Sequence, residues 1–185
     1  MNNKRSSGVL MSISAIPSEY GIGVFGKECV EFARKIKEMG FSYWQVLPFT
    51  PLDYGNSPYG SDSAFAGNEL YISPELMVDS GFVTRHESYT NKYNGSPFIA
   101  DYPFAREKRE SLMRLAFSRL DEEFKQKLDE FINEKELFPH CLYRALKFEN
   151  GGQEFWNWKR GNKYSNALLL KDELKEEFAK AIGKS

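Results

Sequence analysis

The chain has 185 residues, of which 41% are hydrophobic and 28% are charged, and its formal net charge is −1. This composition is typical of a globular domain, and the charge excludes the basic surface of a protein that binds nucleic acid or an anionic membrane. No apolar run is long enough to span a bilayer, and the first residues lack the apolar core of a secretory signal. Cys29 and Cys141 form no metal-binding pattern, so we expect a cytoplasmic protein in which both stay reduced, as small buried apolar groups.

The first predicted elements form a βαβ unit. Residues 8–13 are a short apolar run and residues 41–47 an aromatic and apolar run, and both indicate buried strands. Between them, apolar residues recur at helical spacing over residues 25–39, and Gly40 follows where a left-handed cap ends a helix. A strand, a helix and a second strand in this order predict parallel pairing through a right-handed crossover.

A long loop follows the second strand. Residues 48–68 are rich in Gly, Asn, Ser and Pro, which break regular structure, so we expect neither helix nor strand there. We expect residues 69–72 to form a short extended piece and residues 79–103 to form another polar loop.

The rest of the chain is predicted to be helical. Amphipathic helices are expected at about residues 103–120, 121–135 and 138–148, and a last one at about 167–182. One βαβ unit followed by helices does not complete an α/β sheet, because two strands cannot bury both of its faces. We therefore expect the opening part of a larger α/β fold.

The loop at 48–68 has the chemistry of a ligand surface. It and the loop at 14–23 leave the C-terminal ends of predicted strands, where parallel α/β folds bind ligands. The longer loop offers hydroxyls, amides and aromatic rings but no cation, whereas phosphate and carboxylate ligands need Arg, Lys or a glycine-rich helix start. Sugars need rings and neutral polar groups. The alternative is a surface loop whose rings cover the core, and composition does not decide between them.

Several motifs resemble a known family. RSSGVLMSISAIPSEYGIG, SYWQVLP and YGNSPYGSDSAFAGN are similar, in order and spacing, to the amino-terminal region of the 4-α-glucanotransferases. These are the amylomaltases or disproportionating enzymes of glycoside hydrolase family 77. HCLYRALKFENGGQEFWNWKRG resembles a later helix-and-Trp segment of that family, so the resemblance covers about residues 5–162.

The resemblance implies a (β/α)8 TIM barrel that passes an α-1,4-glucan segment to the 4-hydroxyl of an acceptor glucose or glucan, with retention of configuration. Retention uses a carboxylate nucleophile and a carboxylic acid/base about 5–5.5 Å apart, and the family's carboxylates lie far downstream of the matched segment. We therefore expect no catalytic residue here and no activity from the isolated chain. By the same resemblance, residues 1–78 begin the barrel, residues 79–185 form an inserted and mainly helical subdomain, and the remaining barrel is absent from this chain.

The resemblance also predicts substrate-binding residues in the loop. Ser57 and Tyr59 would contact the donor glucose, and Tyr54 a more remote part of the glucan. Ser61 and Phe65 complete the predicted set.

Two residues of the loop depart from the family motif. At position 62 the family commonly has an aromatic residue where this chain has Asp62, and at position 60 it often has Gln where this chain has Gly60. Both departures fall close to the expected ligand face. They indicate either altered glucan contacts or relaxed constraint in a chain that no longer catalyses.

The expected partners are α-1,4-glucans and maltooligosaccharides, with no cofactor, no metal, no nucleic acid and no membrane. Two alternatives stay open: a non-catalytic glucan-binding module, and a partner subunit whose barrel is completed by a second chain. Uncovered strand edges and apolar helix faces also predict self-association.

Overall fold

The structure is a computed structural model that describes residues 5–153 and 157–158. The chain divides into two compact units, Met1–Lys127 and Leu128–Ser185. The helix predicted at residues 167–182 lies outside the described residues. None of the helices in the described ranges is long and apolar enough to cross a membrane.

The first unit begins with the predicted βαβ arrangement. Strand β1 (Gly8–Leu10) pairs in parallel with β2 (Tyr43–Gln45), and helix α1 (Lys27–Glu38) connects them. The α/β class and the parallel pairing are therefore confirmed. Both strands are shorter than predicted, because the chain turns into a 3-10 helix at Ile13–Ala15 and leaves β2 only three partner residues.

Helix α1 packs on the small sheet through an apolar stripe. Cys29 and Ile36 are buried, and the Phe32 ring meets the Trp44 ring edge to face with centroids 5.0 Å apart. The Trp44 indole N–H donates to the Met11 carbonyl at 2.9 Å, which ties β2 to the end of β1. These contacts hold α1 and the ends of both strands together.

The helix predicted at 25–39 ends as expected. Gly40 has a φ of +89°, and nothing lies within 4 Å of a Cβ built on it, so the need for glycine there is conformational rather than steric. Gly151 and Gly152, with φ of +66° and +77°, follow a later helix in the same way.

Four short helical elements between residues 58 and 90 were missed by the sequence patterns. A 3-10 helix at Glu69–Tyr71 replaces the predicted extended piece, and another, at Pro58–Gly60, lies within the loop expected to lack helix. Helices α2 (Pro74–Asp79) and α3 (Arg85–Thr90) follow, and α3 lies in the predicted polar loop. Elements of three to six residues are too short to show a helical period.

The three longer helices agree with the predictions to within two residues at each end. They are α4 (Tyr102–Ser118), α5 (Glu122–Glu134) and α6 (Phe138–Glu149). The Asp101 carboxylate caps α4 by accepting the Phe104 N–H at 2.9 Å, and Pro103 suits the first turn because its missing N–H would have no helical partner.

Two apolar clusters form the core of the first unit. One joins α1, the loops that follow the strands, the 3-10 helix at Glu69–Tyr71 and α4: Ile13, Ile16, Ile22, Cys29, Leu52, Leu70, Tyr71 and Ala105. The other joins α2 and α4: Met77, Val83, Leu112 and Ala116. Leu10 and Tyr43, on β1 and β2, remain 62% and 64% exposed, as expected of a sheet with too few strands to cover itself.

The second unit contains α6, whose Leu146 is buried. Cys141 is exposed, so the prediction that it is buried was wrong, whereas Cys29 is buried as predicted. Five residues separate Cys141 from Leu146, which places them about 140° apart around the helix and therefore on different faces. In the same unit the Tyr143 and Trp158 rings stack with centroids 5.9 Å apart.

Candidate functional site

The loop after β2 is closed at its base by polar contacts. The Asn68 N–H donates to the Phe49 carbonyl at 2.7 Å, and the Thr50 hydroxyl donates to the Pro58 carbonyl at 3.0 Å. Leu52 is buried in the first apolar cluster. Both ends of the loop are therefore anchored to the core, while its middle faces solvent.

Asp53 organises a tight turn within this loop. Its Oδ1 accepts the Ser57 N–H at 2.8 Å, and its backbone carbonyl accepts the Asn56 N–H at 3.1 Å. Asn56 is left-handed, with a φ of +60°, a conformation that Asn tolerates better than most residues. Tyr54 stands in this turn, so its backbone position is fixed by the bonds on either side.

Ser57 links the turn to the short helix at Pro58–Gly60. Its Oγ accepts the Tyr59 N–H at 3.2 Å and so caps this helix. A hydroxyl has one donor and two acceptor positions, and this bond uses one acceptor position. The hydrogen bond also brings together the two residues predicted to contact the donor glucose.

The serines later in the loop bond mainly to its own backbone. Ser61 Oγ donates to the Ser63 carbonyl at 2.8 Å and accepts the Ser63 N–H at 3.2 Å. Ser63 Oγ in turn accepts the N–H groups of Phe65 at 3.2 Å and Ala66 at 3.0 Å. Ser61 therefore has its donor engaged within the loop.

The three rings of the loop project into solvent. Tyr54, Tyr59 and Phe65 are 75%, 74% and 88% exposed. Rings with so little burial do not cover the core of this unit. Exposed aromatic faces held on a bonded backbone are the arrangement that stacking on a ring-shaped ligand requires.

A cation that the loop sequence lacks is supplied by α4. Arg106 Nη2 donates to Asn56 Oδ1 at 2.9 Å and lies 3.4 Å from the Asp53 carbonyl oxygen. Fifty residues separate Arg106 from Asn56, so no local pattern could have indicated this contact.

The first loop, at 14–23, is held by the segment before α4 and by its first turns. The Asp101 N–H donates to the Gly21 carbonyl at 2.7 Å, and the Tyr93 N–H donates to the Glu19 carbonyl at 2.7 Å. Tyr20 is buried, and this burial raises the pKa of its hydroxyl. The first loop therefore offers its aromatic side chain to the interior rather than to a ligand.

Arg109, one turn after Arg106, packs against the first loop. Its guanidinium lies 5.8 Å from the centroid of the Tyr20 ring, and the residue is 2% exposed. Burial lowers the pKa of Arg109 to about 10. Helix α4 thus contacts both loops at the strand ends, with one arginine for each.

Within the described ranges, no group of three or more His, Cys, Asp or Glu side chains is arranged to hold a metal ion. An open apolar groove of about 480 Å³ lies elsewhere in the first unit, with Phe25, Leu76 and Phe117 on its lining. It contains none of the predicted substrate-binding residues.

Comparisons with known proteins agree with the resemblance. A family model described as 4-alpha-glucanotransferase matches residues 11–182. The 4-alpha-glucanotransferase of Aquifex aeolicus is 34% identical over 171 residues, a match that covers 90% of this chain and 34% of that protein. The 4-alpha-glucanotransferase of Clostridium butyricum is 28% identical over 172 residues, and this match covers 35% of that protein.

The fold has a solved counterpart. The amylomaltase from Streptococcus agalactiae, solved in complex with acarbose, matches with a TM-score of 0.79 and 30% sequence identity. The match covers 94% of this chain and 36% of that chain. The chain therefore spans about a third of the length of the relatives that it matches.

Proposed function

The chain belongs to the 4-alpha-glucanotransferase family, and on that premise we propose that it forms the amino-terminal part of such an enzyme. The reaction of the whole enzyme transfers an α-1,4-glucan segment to the 4-hydroxyl of an acceptor glucose or maltooligosaccharide. The share of the relatives' length that is matched, about a third, supports a part rather than a whole.

In this proposal β1, α1 and β2 begin a (β/α)8 barrel. Residues 1–78 belong to the barrel, residues 79–185 form an inserted helical subdomain, and the remaining strands are supplied outside this chain. The likeness to an amylomaltase supports the barrel, and so does the exposure of Leu10 and Tyr43, which further strands would cover. Self-association would cover the same face.

The proposed contribution of this chain is glucan binding by Tyr54, Ser57, Tyr59, Ser61 and Phe65. The observation that carries it is the exposure of three rings on a loop whose backbone is already bonded in place. A loop backbone that is held before the ligand arrives loses little conformational entropy on binding. The acarbose complex of the Streptococcus agalactiae amylomaltase supports a carbohydrate as the ligand.

The proposed roles divide between rings and hydroxyls. Tyr59 presents a ring to the C–H face of a glucose unit, and Ser57, bonded to the Tyr59 N–H, offers its hydroxyl to the same sugar. Tyr54 and Phe65 extend the apolar surface toward further units of the glucan. Asp53 is assigned a structural role, in which its carboxylate accepts the Ser57 N–H and holds the turn.

Catalysis is assigned to the rest of the enzyme. A retaining transfer needs a nucleophilic carboxylate and an acid/base carboxyl group about 5–5.5 Å apart. The family's carboxylates lie downstream of the matched segment, so the isolated chain binds glucan without cleaving it.

A second candidate is a glucan-binding module without chemistry. One observation favours it: among the described residues, the hydrogen bonds that hold the turn at Asp53, Asn56 and Ser57 come from within the first unit. The loop therefore keeps its form without a complete barrel. A partner subunit that completes its barrel with another chain would also keep it.

The experiment is isothermal titration of the chain with maltoheptaose, with β-1,4-linked cellohexaose as a matched control, beside a glucose-release assay on maltotriose. Binding of maltoheptaose alone, without glucose release, supports the proposal. Glucose release would show that the catalytic carboxylates were wrongly placed outside this chain. Equal binding of both oligosaccharides, or of neither, would contradict a specific α-glucan site.

A further inference from the structure

Arg106 lies on α4, and its side chain contacts the loop at residues 48–68. It lies in the second turn of α4, is half-buried, and reaches back to the turn at residues 53–57. Its Nη2 donates to Asn56 Oδ1 at 2.9 Å and lies 3.4 Å from the Asp53 carbonyl oxygen. One nitrogen thus contacts both the left-handed Asn56 and Asp53, the residue at which the turn begins.

These contacts act on a backbone conformation that needs support. Asn56 has a φ of +60°, which is unfavourable for a residue with a side chain and persists when the surroundings hold it. The Asp53 carbonyl also accepts the Asn56 N–H, so Arg106 shares an acceptor with the bond that closes the turn. Hydrogen bonds from a charged donor are stronger than neutral ones, so this contact is suited to the task.

The other arginines of α4 have different contacts. Arg109 packs on the buried Tyr20 ring, and Arg114 pairs with Glu110 at 2.7 Å on the exposed face of the helix. Arg106 therefore serves the second loop, and the arginine one turn later serves the first.

We propose that Arg106 is a positioning residue for glucan binding: it holds the Asn56 turn and thereby the places of Tyr54 and Ser57, without touching the sugar. This inference rests on the proposed function for its ligand, whereas the effect on the turn does not. It also adds a charged residue from α4 to a site whose own loop contains no cation.

The test compares three variants. Arg106→Met keeps the apolar stem and removes every donor, Arg106→Lys keeps the charge and one donor group, and Arg114→Met removes a charge from the same helix away from the loop. Each is titrated with maltoheptaose, and amide hydrogen exchange of Asn56 and Ser57 is followed by NMR spectroscopy.

We expect Arg106→Met to weaken maltoheptaose binding about tenfold, the effect of losing one hydrogen bond to a charged group, and to speed exchange at both amides. Arg106→Lys should recover part of both effects, and Arg114→Met should change neither. A rescue by Lys separates positioning from a general loss of packing, which Met and Lys affect alike.

Unchanged binding and unchanged exchange in Arg106→Met would overturn the inference. So would an equal loss in Arg114→Met, which would indicate a general charge effect. A wild-type chain that binds no maltoheptaose contradicts the proposed function, and exchange at Asn56 and Ser57 then decides by itself whether Arg106 holds the turn.

Discussion

The carboxylate of Asp53 fills the space in which a side chain at position 60 would lie. A Cβ built on Gly60 would be 2.2 Å from Asp53 Oδ2 and 3.0 Å from Asp53 Cβ. The φ of Gly60 is not left-handed. Glycine is needed here because the Asp53 side chain leaves no space for a Cβ, and not because of the backbone conformation. Asp53 cannot simply turn away, because its Oδ1 accepts the Ser57 N–H at 2.8 Å. Gly60 is thus coupled to Asp53.

The first prediction concerns this shared space. Gly60→Ala should displace the Asp53 carboxylate and break its bond to Ser57, lowering the opening free energy of the Ser57 amide by about 1–3 kcal/mol, as overpacking does. Amide hydrogen exchange measures that energy. Gly67→Ala is the matched control, because nothing lies within 4 Å of a Cβ at that position of the same loop. Equal effects of the two substitutions would show that the loop responds to any lost glycine.

The second prediction separates ring from hydroxyl at Tyr59. Tyr59→Ala should weaken maltoheptaose binding about tenfold, because the stacking surface is lost, whereas Tyr59→Phe should retain most of the affinity. Isothermal titration measures both. Tyr89→Ala is the control, since Tyr89 is 67% exposed on α3, outside the loop. A loss in Tyr89→Ala as large as that in Tyr59→Ala would contradict a site in the loop.

The periodic parts of the fold could be predicted from the sequence. The apolar spacing across α1 and the glycine after it identified that helix, and the apolar runs on either side identified two strands. The longer helices α4, α5 and α6 leave enough turns for an apolar stripe to be visible. The turn-forming residues of the loop left open whether its three rings cover the core, and the structure exposes them.

The contacts that organise the site could not be predicted in the same way. Arg106 and Asn56 are far apart in sequence, and the burial of Arg109 contradicts the usual exposure of arginine on a helix. Helix α3 was missed because six residues show no period. Its one local signal was Thr84 followed three residues later by Glu87, the pattern of a capping box.

The third prediction uses that capping box. Arg119 donates to both carboxylate oxygens of Glu87, at 2.8 and 2.6 Å, and the Thr84 N–H donates to it as well. The hydrogen bond from Arg119 is the main reason why the pKa of Glu87 falls to about 2 from its usual 4.5. A carboxyl group with a lowered pKa stabilises the fold above its unfolded pKa, and that contribution is lost as the pH falls toward 2.

Glu87→Gln should therefore destabilise the chain at pH 7. Its difference from wild type in the free energy of unfolding should shrink as the pH falls from about 4.5 to 2. Urea unfolding across that range measures it. Glu110→Gln, which removes an exposed pair within α4, should have a small effect, about 0.3–0.5 kcal/mol at pH 7. A difference for Glu87→Gln that stays constant down to pH 2 would contradict the role of its charge.

The fourth prediction concerns the buried arginine. Among the described residues, Arg109 Nε has no hydrogen-bond partner, and its pKa of about 10 keeps the group charged at neutral pH. Its contact with the Tyr20 ring offsets only part of the cost of burying a charge. Arg109→Met keeps the stem and removes the charge, so we expect the free energy of unfolding to rise by on the order of 1 kcal/mol.

Leu112→Ala, three residues further along the same buried face, is the comparison for that measurement. It should lower the free energy of unfolding by about 2–5 kcal/mol through the cavity it leaves. If Arg109→Met destabilised the chain as strongly, the guanidinium would be a net stabilising group and the charge argument would be wrong.

The most direct measurement is a titration of the ¹⁵N-labelled chain with maltoheptaose, followed by two-dimensional NMR spectroscopy. We predict that the largest amide shifts fall on Tyr54, Ser57, Tyr59, Ser61 and Phe65. Shifts confined to the apolar groove at Phe25, Leu76 and Phe117, or no shifts at saturating maltoheptaose, would contradict a glucan site in the loop.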